Sequence, residues 1–299
     1  MNVLRFDHAA CRDAAAAGGK GASLARMVEL GLPVPSGFVV PADALAASLP
    51  DGGEQLRAIA ASDPGRAPQL VQEAVIAREL REQIERAYAE LGGGDPPVAV
   101  RSSACAEDSE MASFAGQQET YLYVRGADPV LARVRDCWAS FFSERAVFYR
   151  AQKGSLDDLG MAVVVQRMVA ADVAGVLFTC DPVQRRRDRM VVEAVFGLGE
   201  ACVSGHVTPD HFVITRDGVL KRSRLTVQPI AVVSAPDGGT TERPLDPEEG
   251  GLPTLGEERL RELAALGADL EERLGGPQDI EWAVEQGELY VLQARPVTA

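Results

Sequence analysis

The sequence predicts an α+β protein in which helices pack on mixed or antiparallel sheets, and three observations carry that expectation. Near the C-terminus, Gln278 to Val284 and Glu288 to Arg295 alternate apolar and polar residues around Glu285-Gln286-Gly287, the pattern of a β-hairpin. Elsewhere the apolar positions recur at helical spacing: Leu24, Met27 and Val28 near the start, then Leu131, Val134, Trp138, Phe141, Phe142 and Phe148. Between these lie short valine-rich runs, Pro97 to Arg101, Met161 to Val165, Gly175 to Thr179 and Met190 to Val195, each of buried-strand length.

The 299 residues give room for two lobes, with 46% apolar and 25% charged residues typical of a globular chain. A formal net charge of −14 excludes general binding to nucleic acid or an anionic membrane. Any anionic ligand must be held by a few local cations. Only three of the 30 basic residues are lysine, at positions 20, 153 and 221, so a lysine set among glycines stands out. Five cysteines, at 11, 105, 137, 180 and 202, show no paired metal spacing and read as reduced thiols of a cytoplasmic protein. The N-terminus shows no signal-peptide pattern, and the apolar run from Met161 to Val165 is too short to span a bilayer.

Along the chain, Gly18-Gly19-Lys20-Gly21-Ala22-Ser23 opens a helix that stops at Gly31. A lysine in a glycine turn at a helix N-terminus suits an anion, through free N–H groups and the helix dipole. It lacks the spacing of a Walker A loop, and a solvated lysine in a plain turn is the other reading. Leu32-Pro33-Val34-Pro35-Ser36-Gly37 is a stiff connector into the strand Phe38-Val39-Val40, and residues 43 to 91 are mainly helical. In Val98-Ala99-Val100-Arg101, alternation puts the valines on one face and Arg101 on the other. A guanidinium ending so apolar a strand requires an anion, either a ligand or Glu107 or Asp108 of the Ser-rich loop that follows. Ser113 to Gly116 closes that loop with residues small enough for backbone N–H groups to approach a phosphate. Gln166, after three valines, either meets a purine edge or satisfies neighbouring backbone. Arg185-Arg186-Arg187 reads as a solvated turn, and Gly197-Leu198-Gly199-Glu200 departs from the dinucleotide fingerprint because residue 202 is Cys. His206 and His211 have no partners at metal-ligand spacing and take structural roles.

In the C-terminal hairpin, a three-residue loop with Gly287 left-handed would pair Glu281 with Val291. Glu281 then shares a face with Gln293 and Arg295, while Ile280, Trp282, Tyr290 and Leu292 point into the core. A carboxylate, a carboxamide oxygen and a guanidinium on one face suit a Mg-phosphate ligand; an exposed Glu–Arg cross-strand pair is the alternative.

Seven ordered stretches together resemble one family. They are Gly-Gly-Lys-Gly-Ala-Ser-Leu from 18, Val-Pro-Ser-Gly-Phe from 34, Val-Arg-Ser-Ser from 100, Ser-Phe-Ala-Gly-Gln-Gln-Glu-Thr from 113, Val-Gln-Arg-Met-Val from 165, Gly-Leu-Gly-Glu from 197, and Asp-Ile-Glu-Trp with Gln-Ala-Arg-Pro-Val near the end. The resemblance is to the N-terminal nucleotide-binding domain shared by phosphoenolpyruvate synthase, pyruvate phosphate dikinase and rifampin phosphotransferase. It implies an ATP-grasp fold with nucleotide bound between lobes, residues 1–170 carrying the phosphate-binding Lys and Arg and residues 171–299 the Mg-binding hairpin. Lys20, Arg101 and Arg295 would hold phosphates and serve catalysis, Gly116 and Thr120 would lie in the covering loop, and Gln166 would face adenine. Glu281 and Gln293 would bind Mg²⁺. The family splits ATP into AMP with two phosphoryl transfers, one of them to a histidine on a swivelling domain. The swivelling domain and the acceptor domain are not part of this sequence, so the expectation is either a free-standing subunit acting with a histidine-bearing partner in trans or a piece of a longer enzyme that carries them. A stand-alone small-molecule kinase or ligase, and a non-catalytic nucleotide sensor, are the alternatives.

Overall fold

The structure is a computed structural model that describes residues 2–104, 119–144, 146–148 and 160–297. The chain divides into two compact units, Met1–Gly31 with Ser36–Met168, and Leu32–Pro35 with Val169–Ala299. Each unit is built on an antiparallel sheet, so the α+β expectation holds. Among the described residues, no helix is long and apolar enough to cross a membrane.

The first unit contains β1 (Leu4–Arg5), β2 (Gly37–Val40), β3 (Val98–Ala104), β4 (Thr120–Val124) and β5 (Met161–Arg167), in the order β1-β2-β5-β3-β4. Alternation decides which residues meet which helices. Phe38, Val40, Val98, Val100, Val163 and Val165 join one apolar core with Leu80 and Ile84 of helix Arg78–Ala89 and Leu131, Val134 and Trp138 of helix Ala127–Ser140. That helix ends at Ser140, so the aromatic stripe stops short of its expected length: Phe142 is buried but Phe148 is 67% exposed. On the opposite face, helix Ala14–Glu29 lies against β2 and β3. A Cβ added to its Gly21 would come within 2.9 Å of Val39 Cγ2, and Ser103 Oγ donates to its Ala17 carbonyl.

The second unit contains β6 (Val173–Phe178), β7 (Arg189–Phe196), β8 (Asp210–Thr215), β9 (Leu220–Arg224), β12 (Gln278–Glu285) and β13 (Glu288–Pro296), in the order β13-β12-β6-β7-β8-β9. A separate two-stranded ribbon pairs β10 (Ile230–Ser234) with β11 (Thr240–Pro244). Helix Glu257–Leu274 covers the sheet face that carries Leu177, Val192, Phe212 and Ile280, all buried. Gly267 permits this approach, because a Cβ there would sit 2.9 Å from Leu177 Cδ2 and 3.2 Å from Thr179 Cγ2.

The hairpin register differs from the one expected. Its loop has two residues, Gln286 (φ 51) and Gly287 (φ 85), so Glu285 pairs with Glu288 and Trp282 with Val291. Two left-handed residues in succession give the turn whose twist matches the flanking strands, which is why it displaces the three-residue loop. A bulge at Leu292 then shifts the register, so Glu281 lies opposite Gln293 rather than Val291, and Asp279 lies opposite Arg295. Tyr290 consequently faces away from Trp282, and with Leu292 it joins a small cluster around Val169, Ala174 and Ala283.

Candidate functional site

In the first unit the glycine turn is a kink inside a helix. Asp13 accepts from the Ala15 N–H and caps the helix, which breaks at Gly18 (φ 68, ψ 170) and resumes to present Lys20. Gly18 is required twice over: its φ is left-handed, and a Cβ there would stand 2.2 Å from Ser103 Oγ and 2.3 Å from Ser103 O. Lys20 is 5% exposed, not solvated, and its Nζ donates to the Ser102 carbonyl at 2.8 Å. Ser103 Oγ accepts from the Gly21 N–H at 3.3 Å and donates to the Ala17 O at 3.0 Å. One hydroxyl thus pins both sides of the kink to β3. Sequence reasoning passed over these serines, although the Ser-Ser that follows Arg101 was the available signal.

Arg101 lies on the sheet face covered by helix Ala14–Glu29, together with Ser103. Thr120 is its cross-strand partner on β4, and Val164 its partner on β5. Gln166, two residues beyond Val164 and paired with Ala99, shares that face and is 3% exposed. The unit therefore gathers Lys20, Arg101, Thr120 and Gln166 on one side of its sheet. Gly116, with Glu107, Asp108 and the stretch from Ser113, lies outside the described residues.

The second unit presents a polar row on the sheet face opposite helix Glu257–Leu274. Reading across the strands, register places Gln293, Glu281, Val176, Glu193, His211 and Arg224 side by side. The next row holds Arg295, Asp279, Phe178, Val191, Val213 and Arg222. An apolar floor of Val176, Phe178, Val191 and Val213 is thus flanked by charged groups at both ends. Arg295 pairs across strands with Asp279: its Nε and Nη2 each lie 2.8 Å from Asp279 Oδ2. Burial pushes the Asp279 carboxyl up, while Arg295 pulls it back. Asp279 went unremarked in the sequence, though it stands two residues before Glu281 and so on the same face.

The donor set at this end fits Mg²⁺. Glu281 supplies a carboxylate and Gln293, directly opposite it, a carboxamide oxygen, both hard ligands. Among the described residues no group of three or more His, Cys, Asp and Glu side chains could hold a metal ion. Mg²⁺ needs no such cage, because it keeps waters and phosphate oxygens as its remaining ligands. Four cysteines, 11, 137, 180 and 202, are free thiols; burial pushes the Cys11 thiol up to about 12, which makes it unreactive. In the basic loop Arg186 forms two hydrogen bonds to Asp188, at 2.9 and 2.7 Å, as expected of a solvated turn.

Residues 14–299 match the family model described as pyruvate phosphate dikinase, AMP/ATP-binding domain. A probable phosphoenolpyruvate synthase of Archaeoglobus fulgidus is 42% identical over 324 residues, covering 100% of this chain and 42% of that protein. The probable phosphoenolpyruvate synthase of Methanocaldococcus jannaschii is 39% identical, covering 99% of this chain and 26% of that protein. A rifampicin phosphotransferase from a Streptomyces species is 42% identical over 300 residues, covering 94% of this chain and 34% of that protein. The chain thus spans less than half the length of each of these relatives. Similarity along nearly all of its own length leaves one assignment: the chain belongs to the pyruvate phosphate dikinase AMP/ATP-binding domain family.

Proposed function

We propose that this chain is the Mg-ATP-binding component of a dikinase-type phosphotransferase with an ATP-grasp fold, which splits ATP to AMP and phosphate and passes a phosphoryl group to a histidine on a separate domain or protein. The observation that supports it best is the sharing of faces: Lys20, Arg101, Thr120 and Gln166 lie on one face of the first sheet, and Glu281, Gln293 and Arg295 on one face of the second. Lys20 and Arg101 bind the phosphates, as a compact cation and a planar fork respectively. Gln166 takes the adenine edge through its carboxamide. Glu281 and Gln293 would hold Mg²⁺, which would supply positive charge beside the phosphates, and Arg295, steadied by Asp279, covers charge the metal would not reach. Free thiols accord with a cytoplasmic setting.

The test is the nucleotide product formed when the chain is incubated with Mg-ATP and an extract of its own source cells. AMP and phosphate, dependent on the extract, are expected. ADP alone would replace the dikinase reading with direct transfer to a small molecule, and nucleotide binding without turnover would replace it with a sensor.

A further inference from the structure

The polar row in the second unit continues beyond the proposed metal ligands. Two strands from Glu281, with Val176 between them, Glu193 stands on the same face in the same register. Strand spacing puts the two backbones about 10 Å apart. His211, the next residue along the row, bonds Glu193 Oε1 through Nδ1 at 3.3 Å. Both side chains are partly covered, at 29% and 34% exposure, and His211 fixes one oxygen while no bond to Glu193 Oε2 exists among the described residues. The contrasting pair is His206 with Glu242, where both side chains are more than half exposed, as in an ordinary surface contact.

Resting on the Mg-ATP reading above, we propose that Glu193, oriented by His211, accepts hydrogen bonds from the ribose hydroxyls of the nucleotide whose phosphates are held at the Glu281 end of the same face. A carboxylate repels phosphate but is a pure acceptor, matched to a vicinal diol. A second magnesium suits this position less well, since an imidazole is a poor neighbour for a hard cation and no three-ligand group is present among the described residues. Val176 and Phe178 give the intervening part of the ligand an apolar floor. The Cys202 thiol is pushed up to about 12, first by burial and then by the charges of Glu193 and Glu281, so both carboxylates bear on one point. His211 is a positioning residue here, and Glu193 makes the contact.

The test is calorimetric titration of the full chain with Mg-ATP, with Mg-2′,3′-dideoxy-ATP and with Mg-tripolyphosphate. The wild-type chain is expected to prefer ATP over the dideoxy analogue by about tenfold or more, the scale of a charge-assisted hydrogen bond. Glu193→Ala should bring that ratio close to one while leaving tripolyphosphate affinity unchanged. His211→Ala should reduce the ratio partway, and His211→Asn, which keeps a donor, should restore most of it. A wild-type chain indifferent to the missing hydroxyls would overturn the proposal, and so would a Glu193→Ala chain that loses ATP and tripolyphosphate equally. If the wild-type chain bound none of the three, the Mg-ATP reading would fall and this proposal with it. Tight Mg-ATP binding with an unchanged ratio in Glu193→Ala would remove this proposal alone.

Discussion

Lys20 is 5% exposed and its ammonium donates to a backbone carbonyl, whereas the Arg295 side chain is 55% exposed and is held by a carboxylate on the neighbouring strand. The two regions position a cation in different ways. At Lys20, the backbone does the work: a kinked helix, a glycine with no room for a Cβ, and a serine hydroxyl that ties both sides of the kink to β3. In the hairpin, side chains do it, because the bulge brings Asp279 opposite Arg295 and Glu281 opposite Gln293. The difference teaches that the first site should tolerate almost no change in backbone, and the second should respond mainly to changes of charge.

The largest effect should come from Gly18→Ala, which adds a Cβ in collision with backbone at a left-handed position. We expect a loss of about 3 kcal/mol or more in urea unfolding. Gly287→Ala in the hairpin turn, with nothing within 4 Å of the added methyl, should cost only about 1 kcal/mol. Similar losses at both glycines would erase the contrast. Next come the cations themselves: Lys20→Ala and Arg101→Ala should each weaken ATP by about tenfold to a hundredfold while barely changing adenosine affinity, as titration of both ligands would show. Equal losses for the two ligands would contradict a phosphate role.

A smaller effect is expected at Ser103→Ala, about 1 to 2 kcal/mol from two buried hydrogen bonds left without their shared partner. The smallest is a pH dependence at Asp279. Its carboxyl is raised above the ordinary 3.8, chiefly by burial, so the folded state holds that proton more tightly than the unfolded chain does. The associated stability is present below the ordinary value and is lost as pH rises through the folded value. Thermal midpoints measured from pH 3.5 upward should therefore fall slightly more in the wild-type chain than in Asp279→Asn.

Much of this was legible in the sequence because it depends on local alternation. Val98, Val100 and Arg101 fall on the faces that period two assigns, and Glu281 does share a face with Gln293 and Arg295. What escaped was the register, because a turn that accepts Gln286 at φ 51 and a bulge at Leu292 together move each partner by one or two positions. The trio kept its common face only because the turn and the bulge compensate at that end of the hairpin. The Ser103 contacts with Ala17 and Gly21 span more than 80 residues, and the Glu193–His211 pair spans neighbouring strands of a sheet whose order no local pattern specifies.

The central claim, that the hairpin holds the metal of a Mg-nucleotide, is tested most directly by measuring ATP affinity with and without Mg²⁺ for the wild-type chain and for Glu281→Ala. The account expects Mg²⁺ to tighten ATP in the wild-type chain and to have little effect in the variant, with metal-free ATP binding alike in both. Equal tightening by Mg²⁺ in the two proteins would contradict it.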